Sequence, residues 1–219
     1  MSEIKVPAPL LAAVKGDLRP VRPLASPLLR ALTLLPVGVL LLVGIPAYWA
    51  GRTVTGTTPA SWWLLSSVET VVGLLVLWAA FREAVPGREL SRRLLVLLAL
   101  LAGGAFVLIN LTTDPPLAPE VSLATTARWI GECLGVAMTF AVPALLLPAW
   151  LVARALPNRP GVAGALCGVA IGLMADAGLR LFCWDGERSH ILIAHGGAIA
   201  ILVGLGALAA LGVERSKRR

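Results

Sequence analysis

GVAGALCGVAIGLMADAGLRLFC, residues 161–183, is the stretch that decides the fold. It is long enough for a helix to cross ~30 Å of hydrocarbon, which takes ~20 residues. Small residues recur in it at four-residue intervals, at Gly164, Gly168 and Gly172. This spacing keeps them on one helix face, where a second helix can approach closely. The same face continues through Asp176 and Arg180, so we predict a transmembrane helix whose two charges pair inside a helix bundle.

Five further apolar stretches have a similar length. They cover residues 31–50, 62–82, 94–113, 130–152 and 190–211. A hydrophobic content of 58% and a mean hydropathy of +0.85 exclude an ordinary soluble protein. We therefore predict an all-α, polytopic bundle of six transmembrane helices at residues 31–211, preceded by an arm at 1–30 and followed by a basic tail at 212–219.

The sixth stretch also contains a four-residue step of small residues. Gly196, Ala200 and Gly204 form this step. A helix with such a face packs well against another helix that has one. The pattern predicts that the fifth and sixth helices are neighbours.

Positive charge is concentrated on one side of the predicted bundle. Six crossings put both termini on the same side, together with the second and fourth loops. Fifteen of the 19 Lys and Arg residues lie there: Lys5, Lys15, Arg19, Arg22, Arg30, Arg82, Arg88, Arg92, Arg93, Arg154, Arg159, Arg215, Lys217, Arg218 and Arg219. The other side has only Arg52, Arg128 and Arg188. Both termini are therefore expected in the cytoplasm. Membrane lipids are the expected partner of these charges, and direct nucleic-acid binding is not expected.

Acidic residues within the spans allow two interpretations. Glu69 and Asp176 each lie about seven residues, or ~10 Å, from the outer end of their span, and Glu132 lies nearer the outer surface. They suit a proton or cation path, as in a small transporter or channel. They also suit a structural cluster in which Arg180 neutralises a carboxylate. The inner half of the bundle offers almost no polar residue to continue a path, which favours the structural cluster.

The outer rim gathers groups that bind metals or form disulfides. Cys133 begins the fourth span and Cys183 ends the fifth, close in sequence to Asp185, Glu187, His190 and His195. Such groups suit a soft or borderline metal, or a disulfide in an oxidising compartment. On an unbroken α-helix, His190 and His195 diverge by about 140°, so they share a ligand only if the helix begins after His190. A neutral interfacial cluster is the alternative, and we predict no resident metal or cofactor.

Catalytic motifs are absent from the sequence. It has no H-E-x-x-H, no G-x-S-x-G, no phosphate-binding loop and no EF-hand pattern. The chain is therefore not expected to be an enzyme.

Four stretches resemble the NrsF/CarR group of six-span membrane anti-sigma factors. They are LRPVRPLASPLLRALTLLP at 18–36, REAVPGRELSRR at 82–93, RPGVAGALCGVAIG at 159–172 and LFCWDGERSHILIAH at 181–195. Length and layout are most similar to the CarR branch, which acts in light-induced carotenoid synthesis of myxobacteria. Ala194 departs from the group, since Trp often precedes its last histidine. The soluble zinc-binding H-x-x-x-C-x-x-C motif of other anti-sigma families is also absent.

The resemblance implies a negative regulator of transcription at the bacterial inner membrane. Its partner would be a sigma factor of the extracytoplasmic-function (ECF) type, released on a stress signal such as light, oxidant or metal. The arm and second loop would bind it, through Arg19, Pro20, Val21, Arg22, Pro23, Leu24, Arg30, Arg88, Arg92 and Arg93. The resemblance also implies that Cys133 and Cys183 match positions where some relatives carry stress-sensing thiols. Together with His190 and His195 of the outer rim they are the sensing candidates, and Glu69, Asp176 and Arg180 are the intramembrane polar cluster.

Overall fold

A computed structural model describes residues 7–17, 24–49, 59–112, 123–183 and 188–217. These residues form helices and connecting turns, with no β-strand in the ranges just given. The helices are α1 (Ala8–Asp17), α2 (Pro27–Leu32), α3 (Leu35–Trp49), α4 (Ala60–Glu83), α5 (Arg92–Thr112), α6 (Leu123–Arg154), α7 (Pro160–Arg180), α8 (Arg188–His190) and α9 (Gly197–Lys217). A π-helical turn, Ile191–Gly196, joins α8 to α9.

Six helical segments are long and apolar enough to cross a membrane, which confirms the predicted fold class. They are Pro27–Tyr48, Ala60–Glu83, Arg92–Asn110, Thr125–Arg154, Pro160–Arg180 and Arg188–Ser216. The first span consists of α2 and α3. The Ser26 side chain caps α2 by accepting from the Leu29 N–H at 3.2 Å, and the helix is interrupted at Thr33 and Leu34, shortly before Pro36.

Helix α7 lies at the centre of the bundle. About three-quarters of its residues are buried, and it packs against α3, α4, α6 and α9. Close approach to α9 requires glycine, because a Cβ at Gly164 or Gly168 would overlap the carbonyl oxygen of Gly206 or Leu202. This confirms the small-residue face predicted for the fifth span and its position beside the sixth.

The contact face predicted for the sixth span is wrong. A Cβ added at Gly204 would meet no atom within 4 Å, and Ala200 lies on the outer surface of the bundle. Helix α9 instead packs on α7 through Gly206 and Ala210. The helix carries small residues on two faces, and spacing within its own sequence does not distinguish them. The choice depends on the partner face of α7.

Candidate functional site

Arg180 binds two carboxylates inside the bundle. Its Nη2 donates to Asp176 Oδ2 at 2.5 Å, one turn earlier on α7, and to Glu69 Oε2 of α4 at 2.8 Å. All three side chains are buried. The predicted pairing of Asp176 with Arg180 is confirmed, and the arginine also connects α7 to α4. An isolated charge would be costly at this depth, so each partner depends on the others.

The cluster continues into the sixth span and excludes Glu132. His195 Nδ1 lies 2.6 Å from Asp176 Oδ1, and His195 is buried. Glu132 pairs instead with Arg128 of its own helix at 2.8 Å, on the surface of α6. The three acids therefore do not line a common path, and the contacts match the structural cluster rather than the transport interpretation.

Two thiols and two imidazoles meet beside this cluster. Cys133 Sγ lies 3.5 Å from Cys183 Sγ, and Cys183 Sγ lies 3.1 Å from His190 Nε2. The rings of His190 and His195 are 5.6 Å apart between centroids. One ligand atom from each of the four side chains lies within 4.8 Å of the others. Thus the four sensing candidates converge, whereas Asp185 and Glu187 lie outside the described residues.

The expectation that His190 and His195 come together only if the helix begins after His190 is wrong. The helix begins before His190 and continues past His195, yet the two rings lie together. The reason is the π-turn, Ile191–Gly196, between them. In a π-helix the hydrogen bonds join residues i and i+5, so residues five apart share a face. An α-helical geometry throughout would separate two side chains that the π-turn brings together.

A second polar cluster lies at the other end of the bundle. The Glu83 carboxylate is fully buried, accepts from the Leu90 N–H at 2.7 Å, and pairs with the Arg159 guanidinium at 2.7 Å. This carboxylate was missed at the level of sequence, since no spacing rule links residues 76 positions apart. The bonds hold the turn between α4 and α5 against the start of α7. Gly87 has a φ of +79° in that turn, a backbone conformation that glycine adopts readily.

Glu89 makes a further contact between these two loops. The Asn158 side-chain amide donates to Glu89 Oε1 at 2.6 Å, and the Gly87 N–H donates to the same oxygen at 3.1 Å. The pKa of Glu89 is lowered, first by its own backbone N–H and then by the Asn158 amide. These contacts give the loop between α4 and α5 a defined conformation, in addition to its basic composition.

Comparison with known proteins adds the family. The family model described as NrsF, negative regulator of sigma F, matches residues 14–214. The chain belongs to the NrsF family. No curated protein and no solved structure matches it. The match confirms the resemblance to the NrsF group, although it does not distinguish the CarR branch, and it gives the chain a sigma factor as partner and negative regulation as role. A family of this kind regulates rather than catalyses.

An NrsF protein needs a surface for its sigma factor. Of the residues predicted to form it, some are exposed in the structure and others lie outside the described residues. Arg88, Arg92 and Arg93 lie exposed around the start of α5, and Leu24 is exposed before α2. Five of the other arm candidates lie outside the described residues: Arg19, Pro20, Val21, Arg22 and Pro23.

Arg30 lies inside the bundle, so its predicted place on the sigma-factor-binding surface is wrong. Its side chain is 6% exposed, its Nη2 donates to the Leu151 carbonyl oxygen, and its guanidinium lies 4.5 Å from the Phe81 ring centroid. A long cationic side chain at a helix end can pack along its neighbours in this way. Arg30 therefore joins α2 to α4 and α6, and it is not part of an exposed binding surface.

Proposed function

We propose that this NrsF-family protein holds an ECF-type sigma factor at the cytoplasmic face of the bacterial inner membrane. The observation that carries the proposal is the family match over residues 14–214. Sequestration requires no catalysis, only a binding surface fixed where RNA polymerase does not compete for the sigma factor. The six apolar helices supply the attachment to the membrane.

The loop between α4 and α5 is the best-defined part of the proposed surface. Arg88, Arg92 and Arg93 are exposed on a turn that Glu83 and Arg159 hold in place. A fixed turn loses little conformational entropy when it binds. Its arginines suit acidic groups on a protein partner, and such charges chiefly speed and orient association.

The arm supplies the second part of the surface. Pro20, Val21, Pro23 and Leu24 offer apolar contacts from a proline-containing segment in which Arg19 and Arg22 are interspersed. The proposed division of the chain is a cytoplasmic arm, a transmembrane domain and a basic cytoplasmic tail at 212–219. We end the arm before Pro27 rather than at residue 30, because Arg30 is buried in the bundle.

Release of the sigma factor follows a stress signal at the opposite face. Cys133, Cys183, His190 and His195 form the sensing cluster, since they are the reactive groups that converge there. Oxidants and metal ions are signals that thiols and imidazoles receive directly. Light is a further signal in this proposal, because photo-oxidation would act on the same thiols. The regulated output would then be carotenoid synthesis.

Affinity capture of the tagged protein from its own cells in mild detergent tests the proposal. We expect an ECF-type sigma factor among the soluble polypeptides that elute with it. R88Q/R92Q should reduce the retained sigma factor several-fold, because both charges lie on the proposed surface. The matched control is R154Q/R215Q, which removes two charges from the same side of the bundle outside the proposed surface.

Two results would contradict the proposal. One is the absence of any sigma factor from the captured material at normal expression. The other is an equal loss with both double variants, which would show that the arginines act on topology alone. For the sensing step, replacing Cys133 and Cys183 with serine should abolish stress-induced release, and a normal response would exclude a thiol mechanism.

A further inference from the structure

The four side chains of the sensing cluster, Cys133, Cys183, His190 and His195, are spaced like the ligands of a tetrahedral metal site. Two Zn–S bonds of about 2.3 Å at the tetrahedral angle place their sulfur atoms about 3.8 Å apart. Cys133 and Cys183 have their sulfur atoms 3.5 Å apart. Cys183 Sγ and His190 Nε2 are 3.1 Å apart, and all four ligand atoms lie within 4.8 Å of one another. Small side-chain rotations therefore suffice to place one ion between them.

The four ligands come from separate elements of the bundle. Cys133 lies on α6, Cys183 follows α7, His190 ends α8, and His195 lies in the π-turn. The π-turn brings the two imidazoles to one face, and π-turns of this kind are frequent at functional sites. A site built in this way requires the folded bundle, because no two neighbouring residues of the sequence form it.

His195 gives an independent indication of a ligand. Its Nδ1 is bound by Asp176 at 2.6 Å, which leaves Nε2 for the cluster. Nε2 is buried and has no hydrogen-bond partner within the described part of the chain. A buried imidazole that is oriented by a carboxylate and presents its other nitrogen is the arrangement found around protein-bound zinc. Arg180 in turn holds Asp176, at 2.5 Å.

We propose that Cys133, Cys183, His190 and His195 bind one divalent d10 cation, Zn²⁺ or its heavier congener Cd²⁺. Two thiols release their protons on binding, and the two thiolates cancel the charge of the ion. A neutral centre is favoured at a site with so little solvent contact. Asp176 acts as a positioning residue through His195. The inference deepens the sensing step of the proposed function, yet binding of the ion itself does not require the sigma factor.

Metal titration of the full-length protein in detergent tests the site. The protein is kept reduced, stripped with a chelator and titrated with Co²⁺, which is then displaced by Zn²⁺ or Cd²⁺. We expect one ion per chain, the strong visible bands of tetrahedral Co²⁺, and sulfur-to-metal charge transfer in the ultraviolet. C133S and C183S should each lose charge-transfer intensity. C167S is the matched control, since Cys167 is a buried thiol in the inner half of α7 and should bind as wild type.

The histidines and Asp176 are tested by affinity. Loss of a group that only supports a metal ligand typically weakens binding by about 10–100-fold. H190Q and H195Q each remove a ligand, so we expect them to weaken binding by more than this. D176N should weaken it by about 10–100-fold while the tetrahedral spectrum persists, and D176E should recover part of the loss. Gel filtration and helical content, measured for every variant, separate loss of the site from loss of the fold.

Three outcomes would overturn the proposal. The first is wild-type affinity in C133S or C183S, and the second is a Co²⁺ spectrum without thiolate character. The third combines two results: the purified protein, reduced and folded, binds no ion, and the protein isolated from cells has Cys133 and Cys183 joined as a disulfide. None of these outcomes bears on capture of the sigma factor, so the two proposals fail separately.

Discussion

Arg180 illustrates how single residues hold this bundle together. It contacts a carboxylate on its own helix and another on α4, and both partners are buried. Within a bilayer, removing one member of such a group leaves the remaining charge without compensation. The interaction also continues to His195 through Asp176, so one guanidinium influences three spans.

We expect R180M to lower the free energy of unfolding by about 3–5 kcal/mol, because it leaves Glu69 buried without its cation and Asp176 with only its contact to His195. The control is R128M. Arg128 also pairs with a glutamate four residues away, but its side chain is 77% exposed, and the loss should be about 0–1 kcal/mol. Unfolding of each variant by SDS in mild detergent micelles measures the difference. Equal losses would show that burial does not determine the strength of these pairs.

Contacts could be predicted from the sequence for residues whose partner lies one helical turn away. Asp176 and Arg180 are such a pair. Prediction failed where the partner depends on tertiary packing. Glu83 finds Arg159 and Arg30 finds Leu151 across long stretches of chain, and neither match follows from spacing. Arg30 was assigned to a binding surface for this reason, although it lies within the bundle.

Helices α7 and α9 pack closely because glycine lies at their contact. A Cβ at Gly168 would overlap the backbone of Leu202, whereas a Cβ at Gly204 meets nothing within 4 Å. We expect G168A to force the helices apart and to lower the free energy of unfolding by about 1–3 kcal/mol. G204A should leave it unchanged or slightly raise it, because alanine favours helix over glycine. SDS unfolding again provides the measurement, and a harmless G168A would contradict the packing.

The π-turn gives a different prediction for the same helix. A π-turn contains one residue more than the α-helical turn it replaces. Deleting Leu192, which lies on the outer surface, should therefore convert the turn to α-helix and keep both histidines on one face, four residues apart. We expect the deletion to retain most of the stability of the parent protein.

Deleting Leu205 is the matched control for that deletion. It removes one residue from regular α-helix, rotates the following residues by about 100°, and puts Ala207 where Gly206 met Gly164. This variant should lose far more stability in the SDS assay. A similar loss from both deletions would show that Ile191–Gly196 does not behave as a π-turn.

Across the whole molecule, hydropathy predicted the number of spans because each span satisfies its own backbone hydrogen bonds in lipid. The glycine step of α7 predicted its neighbour, since close approach leaves few alternatives. The convergence of Cys133, Cys183, His190 and His195 could be predicted from the sequence only in part. Their common rim could be inferred, but their contact depends on the π-turn, which hydrophobic spacing does not reveal.

The orientation of the molecule is a prediction from charge, and it decides where each cluster operates. With both termini inside, the Arg88–Arg93 loop faces the cytoplasm and the Cys–His cluster faces outward. We expect a fluorescent protein fused before Met1 or after Arg219 to be fluorescent, because it folds inside the cell. Alkaline phosphatase fused after residue 120, between the third and fourth spans, should be active, since that enzyme requires the oxidising exterior. The opposite pattern would put the arginine loop outside the cell, where no sigma factor is available, and the sequestration proposal would then be untenable.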